Sequence, residues 1–270
     1  MNVATIAETA RIAPPLHARR RFLRMTERNA VGYARAWPLL VTGVLEPFLY
    51  LLSIGIGVGA LVGEVTYGGR SIPYETFVAS GMLATAAMNG AVFDTTFNFF
   101  IRLKYAKLYD AVLATPLEPR DVALGEVTWA LLRGGFYSTA FLLTMAAFGL
   151  VESWWAILAL PTTVLIGAAF AAAGLAASSY MRSFLDFDFV NLAITPMFLF
   201  SATFFPLSEY PGWIAAVVQV TPLYQGVALC RALTTGEVHP GLLLHAAYLA
   251  AMVLAGVAVA GRRIDALLRS

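Results

Sequence analysis

Long apolar runs separated by short polar joints dominate this chain. Six stretches approach the roughly 20 apolar residues that a helix needs to cross about 30 Å of hydrocarbon: Leu39–Val62, Thr76–Ile101, Val127–Leu150, Trp155–Met181, Phe189–Phe205 and Leu242–Ala260. The fifth is the shortest, and an apolar stretch interrupted by Pro211-Gly212 and Thr221-Pro222 follows it. Residues 18–38 have a different pattern. Leu23, Ala30, Tyr33, Ala34 and Trp37 recur at helical spacing, while Arg20, Arg24, Glu27, Arg28 and Arg35 fall mostly on the other side. That pattern predicts a basic amphipathic helix on an anionic headgroup surface, with a merely solvated basic tail as the alternative. The expected protein is an all-α integral membrane protein. It has a flexible cytoplasmic tail over 1–17, an interfacial helix over 18–38, a six-span domain over 39–260 and a second cytoplasmic tail over 261–270.

Composition agrees. The 270 residues are 59% hydrophobic and 13% charged, against about 45–50% and about 25% in soluble chains, and the mean hydropathy is +0.74. Too few polar residues are present to cover a soluble body, which excludes soluble enzymes, nucleic-acid readers and secreted disulfide scaffolds. Cys230 is the single cysteine, so neither an intrachain disulfide nor a thiol metal cluster is expected. The net charge of +2 says little, but its placement says more. Six spans would put both termini and the second and fourth connections on one side, and that side holds fifteen of the 18 Lys and Arg residues. Only Arg70 and Arg231 fall opposite, and Arg133 lies within the third span. Lys and Arg are retained in the cytoplasm, so both ends are expected there. No apolar run precedes the basic cluster, so no cleavable signal peptide is expected.

Charged groups inside spans cost roughly 2.5–3.5 kcal/mol each on insertion scales, which makes three residues informative: Glu46 before Pro47, Asp94 in the second span and Arg133 in the third. Asp94, Asn98 and Arg102 form a polar stripe at i, i+4 and i+8. Two readings stand side by side: a polar lining of a substrate path, or a structural ion pair between Asp94 and Arg133. Phe93, Phe97 and Phe100 run beside that stripe and either contact an acyl or aromatic substrate or pack against neighbours. Gly55 and Gly59, with Gly63, and Gly167, Ala171, Gly174 and Ser178 form small-residue faces that let helices approach closely, within one chain or between two. Pro47, Pro161 and Pro196 each predict a kink.

Enzymatic signatures are missing: no G-x-S-x-G elbow, no H-E-x-x-H helix and no Cys/His cluster at metal spacing, so no catalytic or metal residues are assigned. A nucleotide-binding loop is missing too, since Lys104 and Lys107 are the only lysines and neither follows a glycine. ATP-driven work would therefore need a second polypeptide. The connection Arg102–Glu126 is where one would push. Tyr105, Leu108, Tyr109 and Val112 share a helix face, Leu113 flanks it, and Thr115-Pro116 ends the helix. A short amphipathic helix held between two spans makes a lever; an ordinary interfacial loop is the alternative.

Several pieces resemble the permease subunits of type 2 ABC exporters, in the branch of nodulation-factor lipooligosaccharide and anthracycline exporters. They are Leu113-Ala-Thr-Pro-Leu-Glu-Pro119, Gly125-Glu126, Phe204-Phe-Pro-Leu-Ser-Glu-Tyr-Pro-Gly-Trp213, Thr221-Pro-Leu-Tyr224 and Arg231, in that order within about Gly43 to Arg231. The resemblance implies a multi-pass permease in the bacterial cell membrane. Two permeases, identical or sisters, would pack around a central path, with membrane lipid around them and ABC ATPase subunits that bind ATP and Mg²⁺ below. No cofactor would be bound by this chain itself. The surface helix would be the connecting helix, and Arg102–Thr115 would contain the coupling helix. Leu207–Val227, with Pro206, Pro211, Trp213, Pro222 and Tyr224, would form short helices dipping back from the outer face. The substrate path would draw on Glu46, Phe93, Asp94, Phe97, Asn98 and Arg133. The alternatives are an ion-coupled secondary carrier using Glu46 and Asp94, a membrane-embedded enzyme, and a structural membrane subunit.

Overall fold

The computed structural model describes residues 21–35, 38, 41, 45, 48–106 and 108–269. The tail 1–17, the first residues of the expected interfacial helix, Trp37 and Glu46 lie outside the described residues.

Helix α1 (Phe22–Arg35) is the expected amphipathic segment. After it, the apolar helix α2 (Phe48–Val62) is wound as a π-helix over Leu51–Val58 and leads into a hairpin that the hydrophobic pattern did not announce. Strands β1 (Glu64–Tyr67) and β2 (Arg70–Pro73) pair antiparallel, with Tyr67 opposite Arg70. Gly68 and Gly69 close the two-residue turn at φ +58° and +79°, the left-handed geometry such a turn requires of both residues.

Helix α3 (Tyr74–Tyr105) is 32 residues long and departs from α-winding at Asp94–Asn98 and Ile101–Tyr105, where it widens into π turns. Helix α4 (Leu108–Leu113) is a short helix in the connection that follows α3. Helix α5 (Pro119–Ala147) starts before the expected third span, because Glu118 and Asp121 form a reciprocal capping box and Pro119 presets the first turn. Helix α6 (Ala159–Ser178) continues a 3₁₀ turn over Trp154–Leu158.

Helix α7 (Phe187–Leu199) is shorter than the fifth run: its 13 residues reach only about 20 Å. Beyond it the backbone is irregular, with Ala202 at φ +55°. Arg231 holds this irregular segment: its Nη2 donates to the carbonyls of Ala202 at 2.8 Å and Thr203 at 3.5 Å, backbone acceptors that have no helical partner there. Helices α8 (Gly212–Val220) and α9 (Pro222–Thr235) follow, bent by 87° at Thr221. Helix α10 (Leu242–Arg269) runs past Ala260, where the sixth span was expected to end.

Among the described residues, three helices are long and apolar enough to cross a membrane: Tyr74–Tyr105, Trp154–Ser178 and Leu242–Arg263. The bent α8–α9 pair makes a fourth if counted as one broken span. Helix α3 is the central element, packed against α5, α6 and α9, while α10 lies along α6. The small face of α6 is used within the chain: a Cβ on Gly174 would come within 2.4 Å of Thr95 Oγ1, and Ser178 donates to the Thr95 carbonyl at 2.9 Å. A separate inner core forms where Met25, Phe99, Tyr109, Val122, Leu175 and Ala260 meet. It joins α1, α3, α4, α5, α6 and α10.

Candidate functional site

The second span carries its polar stripe where its winding changes. A π turn inserts one residue per turn and shifts the side chains beyond it around the axis. At Asp94–Asn98 this lets Asn98 Nδ2 donate to Asp94 Oδ1 at 2.6 Å, while Arg133 Nε of α5 lies 2.9 Å from Asp94 Oδ2. Both charged side chains are buried. Tyr33 of α1 completes the cluster. Its hydroxyl receives Arg133 Nη1 at 2.6 Å and Asn98 Nδ2 at 3.1 Å, and donates to Asp94 Oδ1 at 3.3 Å. The Arg133 guanidinium also lies over the Tyr33 and Tyr137 rings, at 5.1 and 5.5 Å. A carboxylate and a guanidinium this close neutralise one another, as burial requires.

This cluster forms one edge of a cavity of about 800 Å³ bounded by α3, α5 and α7, with Tyr50 of α2 and Tyr33 of α1 in its wall. Phe93, Phe97, Asn98 and Arg133 line it, so four of the expected path residues come together. Asp94 stands behind them as partner of Arg133. The two sequence readings are therefore compatible: the pair is internal, and one of its members faces the cavity. Phe93 stacks on Phe97 at 5.3 Å, and Phe97 meets Phe187 edge-on at 5.4 Å. Phe100 is fully buried behind them, against Phe184 and Phe187. Opposite stand Asn191, Thr195 and Phe198 of α7, with Asn89 of α3 nearby. Sequence reasoning did not select these. Asn191 and Thr195 at i, i+4 on an otherwise apolar run were the available signal. Tyr33 was assigned only to the apolar face of α1; its hydroxyl gave no sign of its partners.

A second polar node lies toward the connection that holds α4. Glu126 of α5 is buried. It accepts Asn29 Nδ2 of α1 at 3.1 Å and the Tyr109 hydroxyl of α4 at 3.1 Å, and it pairs with Arg102 at the end of α3. Gly125 lets α1 approach: a Cβ there would fall 2.4 Å from Met25 Cβ. Thr26 donates to the Gly125 carbonyl at 3.3 Å, and Arg21 donates to the Pro116 carbonyl at 3.0 Å.

This node corrects the expected face of the cytoplasmic helix. Tyr105, Leu108, Tyr109 and Val112 do not lie on one outward face. Tyr105, 60% exposed, ends α3, and Leu108 begins the separate helix α4, in which Tyr109 is buried at 1% exposure. Its ring packs 5.3 Å from Phe99 because its hydroxyl serves Glu126. Leu108 and Val112 are partly buried against the same inner core. The side chain of Leu113 lies outside the described residues.

At the opposite end, Pro206 and Pro211 precede a 3₁₀ turn and α8, and Pro222 opens α9 behind Thr221. Trp213 is 74% exposed. Tyr224 meets His245 edge-on at 6.1 Å, and the Tyr248 hydroxyl donates to the Val220 carbonyl at 2.8 Å, so α10 holds the corner. Arg231, counted from sequence among the few outer cations, is buried instead. Its Nε donates to Ser80 Oγ at 3.0 Å, its Nη2 also donates to the Phe77 carbonyl at 3.1 Å, and its guanidinium lies 3.6 Å from the centre of the Phe77 ring.

A multi-pass helical membrane protein with an internal cavity edged by a neutralised ion pair is the class that this architecture defines. Residues 20–234 match the family described as ABC-2 type transporter, and the chain belongs to that family: it is a membrane permease subunit of an ABC exporter. It is similar to Nodulation protein J of Rhizobium leguminosarum bv. trifolii, 33% identical over 222 residues that cover 81% of this chain and 82% of the relative. It is also similar to Nodulation protein J of Rhizobium meliloti, 31% identical over 226 residues, 82% and 84% of the two chains. A more distant relative is the probable doxorubicin resistance ABC transporter permease protein DrrC of Mycobacterium tuberculosis, 23% identical over 227 residues, 79% and 76% of the two chains.

Proposed function

We propose that this permease moves an amphipathic substrate, a glycolipid, a lipid-linked glycan or a hydrophobic drug, out of the cytoplasm or the inner leaflet. Separate ABC ATPase subunits bind and hydrolyse ATP with Mg²⁺. A second copy or a sister permease completes the path, six spans cross the bilayer with both termini in the cytoplasm, and α8–α9 dips back from the outer face. The observation that carries this reading is the mixed lining of the cavity. Aromatic rings at Phe93, Phe97, Phe187 and Phe198 suit an apolar body, while Asn89, Asn191 and Thr195 offer hydrogen bonds to a polar head. Apolar walls with a few convergent polar groups are the usual makeup of a small-molecule site. The names of the relatives, one a doxorubicin resistance permease, fit an amphipathic cargo.

Coupling to the ATPase is assigned to the exposed Tyr105 and to the outward edge of α4, with Leu108 and Val112 bracing it and Tyr109 acting from within. Isolation of the tagged chain from its native membrane in mild detergent tests this reading. An ATPase polypeptide and Mg·ATP hydrolysis should accompany it, and Tyr105→Glu should reduce the retained ATPase at least threefold without lowering the amount of folded permease. Retention at the parental level would remove Tyr105 from the docking surface, and isolation of the folded chain with no ATPase would overturn the reading. Asp94 is engaged by Arg133, Asn98 and Tyr33, which argues against a freely exchanging proton carrier there.

A further inference from the structure

Helix α1 touches both polar nodes. Asn29 and Tyr33 lie one turn apart on the same face, the first bonded to Glu126 and the second to Asp94, Asn98 and Arg133. Helix α5 presents the matching row: Glu126, Trp129 and Arg133 at i, i+3 and i+7, with the Trp129 ring 5.2 Å from Tyr33. The 14-residue helix thus contacts the cavity at Tyr33 and α4 through Glu126 and Tyr109, while Arg21 just before it bonds the segment after α4 at Pro116. Helix α3 runs past the same two nodes but is interrupted by π turns at Asp94–Asn98 and Ile101–Tyr105, which suits it poorly to rigid transmission. Helix α1 is regularly wound and clamped to α5 by the close approach at Gly125.

We propose that Tyr33 and Asn29 are positioning residues of a two-node relay that reports occupancy of the cavity to the cytoplasmic helix α4. The relay rests on the reading of the cavity as the substrate's seat. A body entering between Phe97 and Asn191 presses on the Arg133 edge, the Tyr33 hydroxyl follows its three partners, and α1 shifts as a rod. Asn29 then carries the displacement to Glu126, which holds the Tyr109 hydroxyl. Coupling of this kind needs an element biased from both ends; α3 and α5 also place side chains in both clusters, and α1 is the shortest of the three.

The test fills the cavity covalently, with no need to know the natural cargo. In the full chain in lipid nanodiscs, with the buried Cys230→Ser as background, Asn191→Cys is labelled with fluorescein maleimide. Backbone amide exchange over 108–113 is then compared with and without the label. The parent should change its exchange rate there about tenfold on labelling. Tyr33→Phe and, separately, Asn29→Ala should accept the label to the same stoichiometry and change less than twofold. Two variants at opposite nodes guard against one that fails to fold. An unaltered tenfold response in both variants, or no response in the parent, overturns the relay. A parallel arm measures ATP hydrolysis of the permease–ATPase complex. Labelling should change the rate at least threefold in the parent and leave the labelled-to-unlabelled ratio near one in both variants; a threefold response in the variants also overturns the relay. If no ATPase stays with the folded chain, the export reading falls, while the exchange arm still decides the relay.

Discussion

Asp94 and Arg133 hold each other in a region where neither would be stable alone. Removing one member of a buried pair leaves an uncompensated charge, at a cost of about 3–5 kcal/mol, whereas replacing both with apolar residues is often near neutral. Arg133→Leu should therefore lower the thermal unfolding temperature of the purified protein markedly, and the double variant Asp94→Leu/Arg133→Leu should recover most of the loss. A double variant as unstable as the single one would mean that Tyr33 and Asn98, rather than the ion pair, hold the site. Gly125 gives a prediction of different origin. Any side chain there collides with Met25, and overpacking costs typically about 1–3 kcal/mol. Gly125→Val should thus release α1 from α5, read as new protease cleavage within 22–35. At the entry to α7, the Asp186 carboxylate accepts the backbone N–H groups of Arg182 and Ser183, and these bonds, Arg182 first, hold it below the usual carboxylate range. A lowered folded value means that its support is complete above the unfolded value of 3.8 and is lost as pH falls through the lower folded one. Asp186→Asn should fray the start of α7 at pH 7, seen as faster amide exchange at 187–190, and this difference from the parent should shrink in acid.

At the scale of elements, the end of α3 and the start of α4 present two tyrosines in different settings. Tyr109 faces inward to Glu126, while Tyr105 stands outside at the end of α3, so equivalent charges should act differently. Tyr109→Asp should unfold the inner core, with loss of monodisperse protein on size exclusion. Tyr105→Glu should leave folding intact and affect only what binds below. The 3.6-residue period could not separate them, because it assumes one unbroken helix and the two lie in separate helices. The same limit explains α7. The apolar run to Phe205 looked continuous, but the backbone beyond Leu199 is irregular, and Arg231, more than twenty residues downstream, bonds the carbonyls of Ala202 and Thr203 there. Tertiary hydrogen bonds of this range leave no mark on local hydropathy. The hairpin was more legible than it was taken to be: Gly68-Gly69 between Glu64–Tyr67 and Arg70–Pro73 is a standard turn signal, overlooked beside the stronger apolar runs.

For the molecule as a whole, the hydrophobic pattern specified the mostly helical membrane character, with the β1–β2 hairpin as the departure from an all-α chain, and the order of short motifs pointed to the family. Cavity-lining residues were legible where a charge, amide or ring stood out against apolar neighbours, as at Phe93, Phe97, Asn98 and Arg133. Tyr33, Asn29 and Arg231 were not, because each has an ordinary place in its own segment and acquires its role only from partners 28 to 154 positions away. The proposed function is that of a gate whose cavity is reshaped by nucleotide turnover in a bound ATPase companion. The most direct measurement is a distance across that cavity, between spin labels on Asn89→Cys and Thr195→Cys in a Cys230→Ser background in nanodiscs. With the ATPase bound, Mg·ATP and vanadate should shift the distance distribution by several ångströms, while the permease by itself should give one unchanged distribution with ATP or across a pH step of two units. A shift produced by the pH step alone, with no ATPase present, would contradict the account.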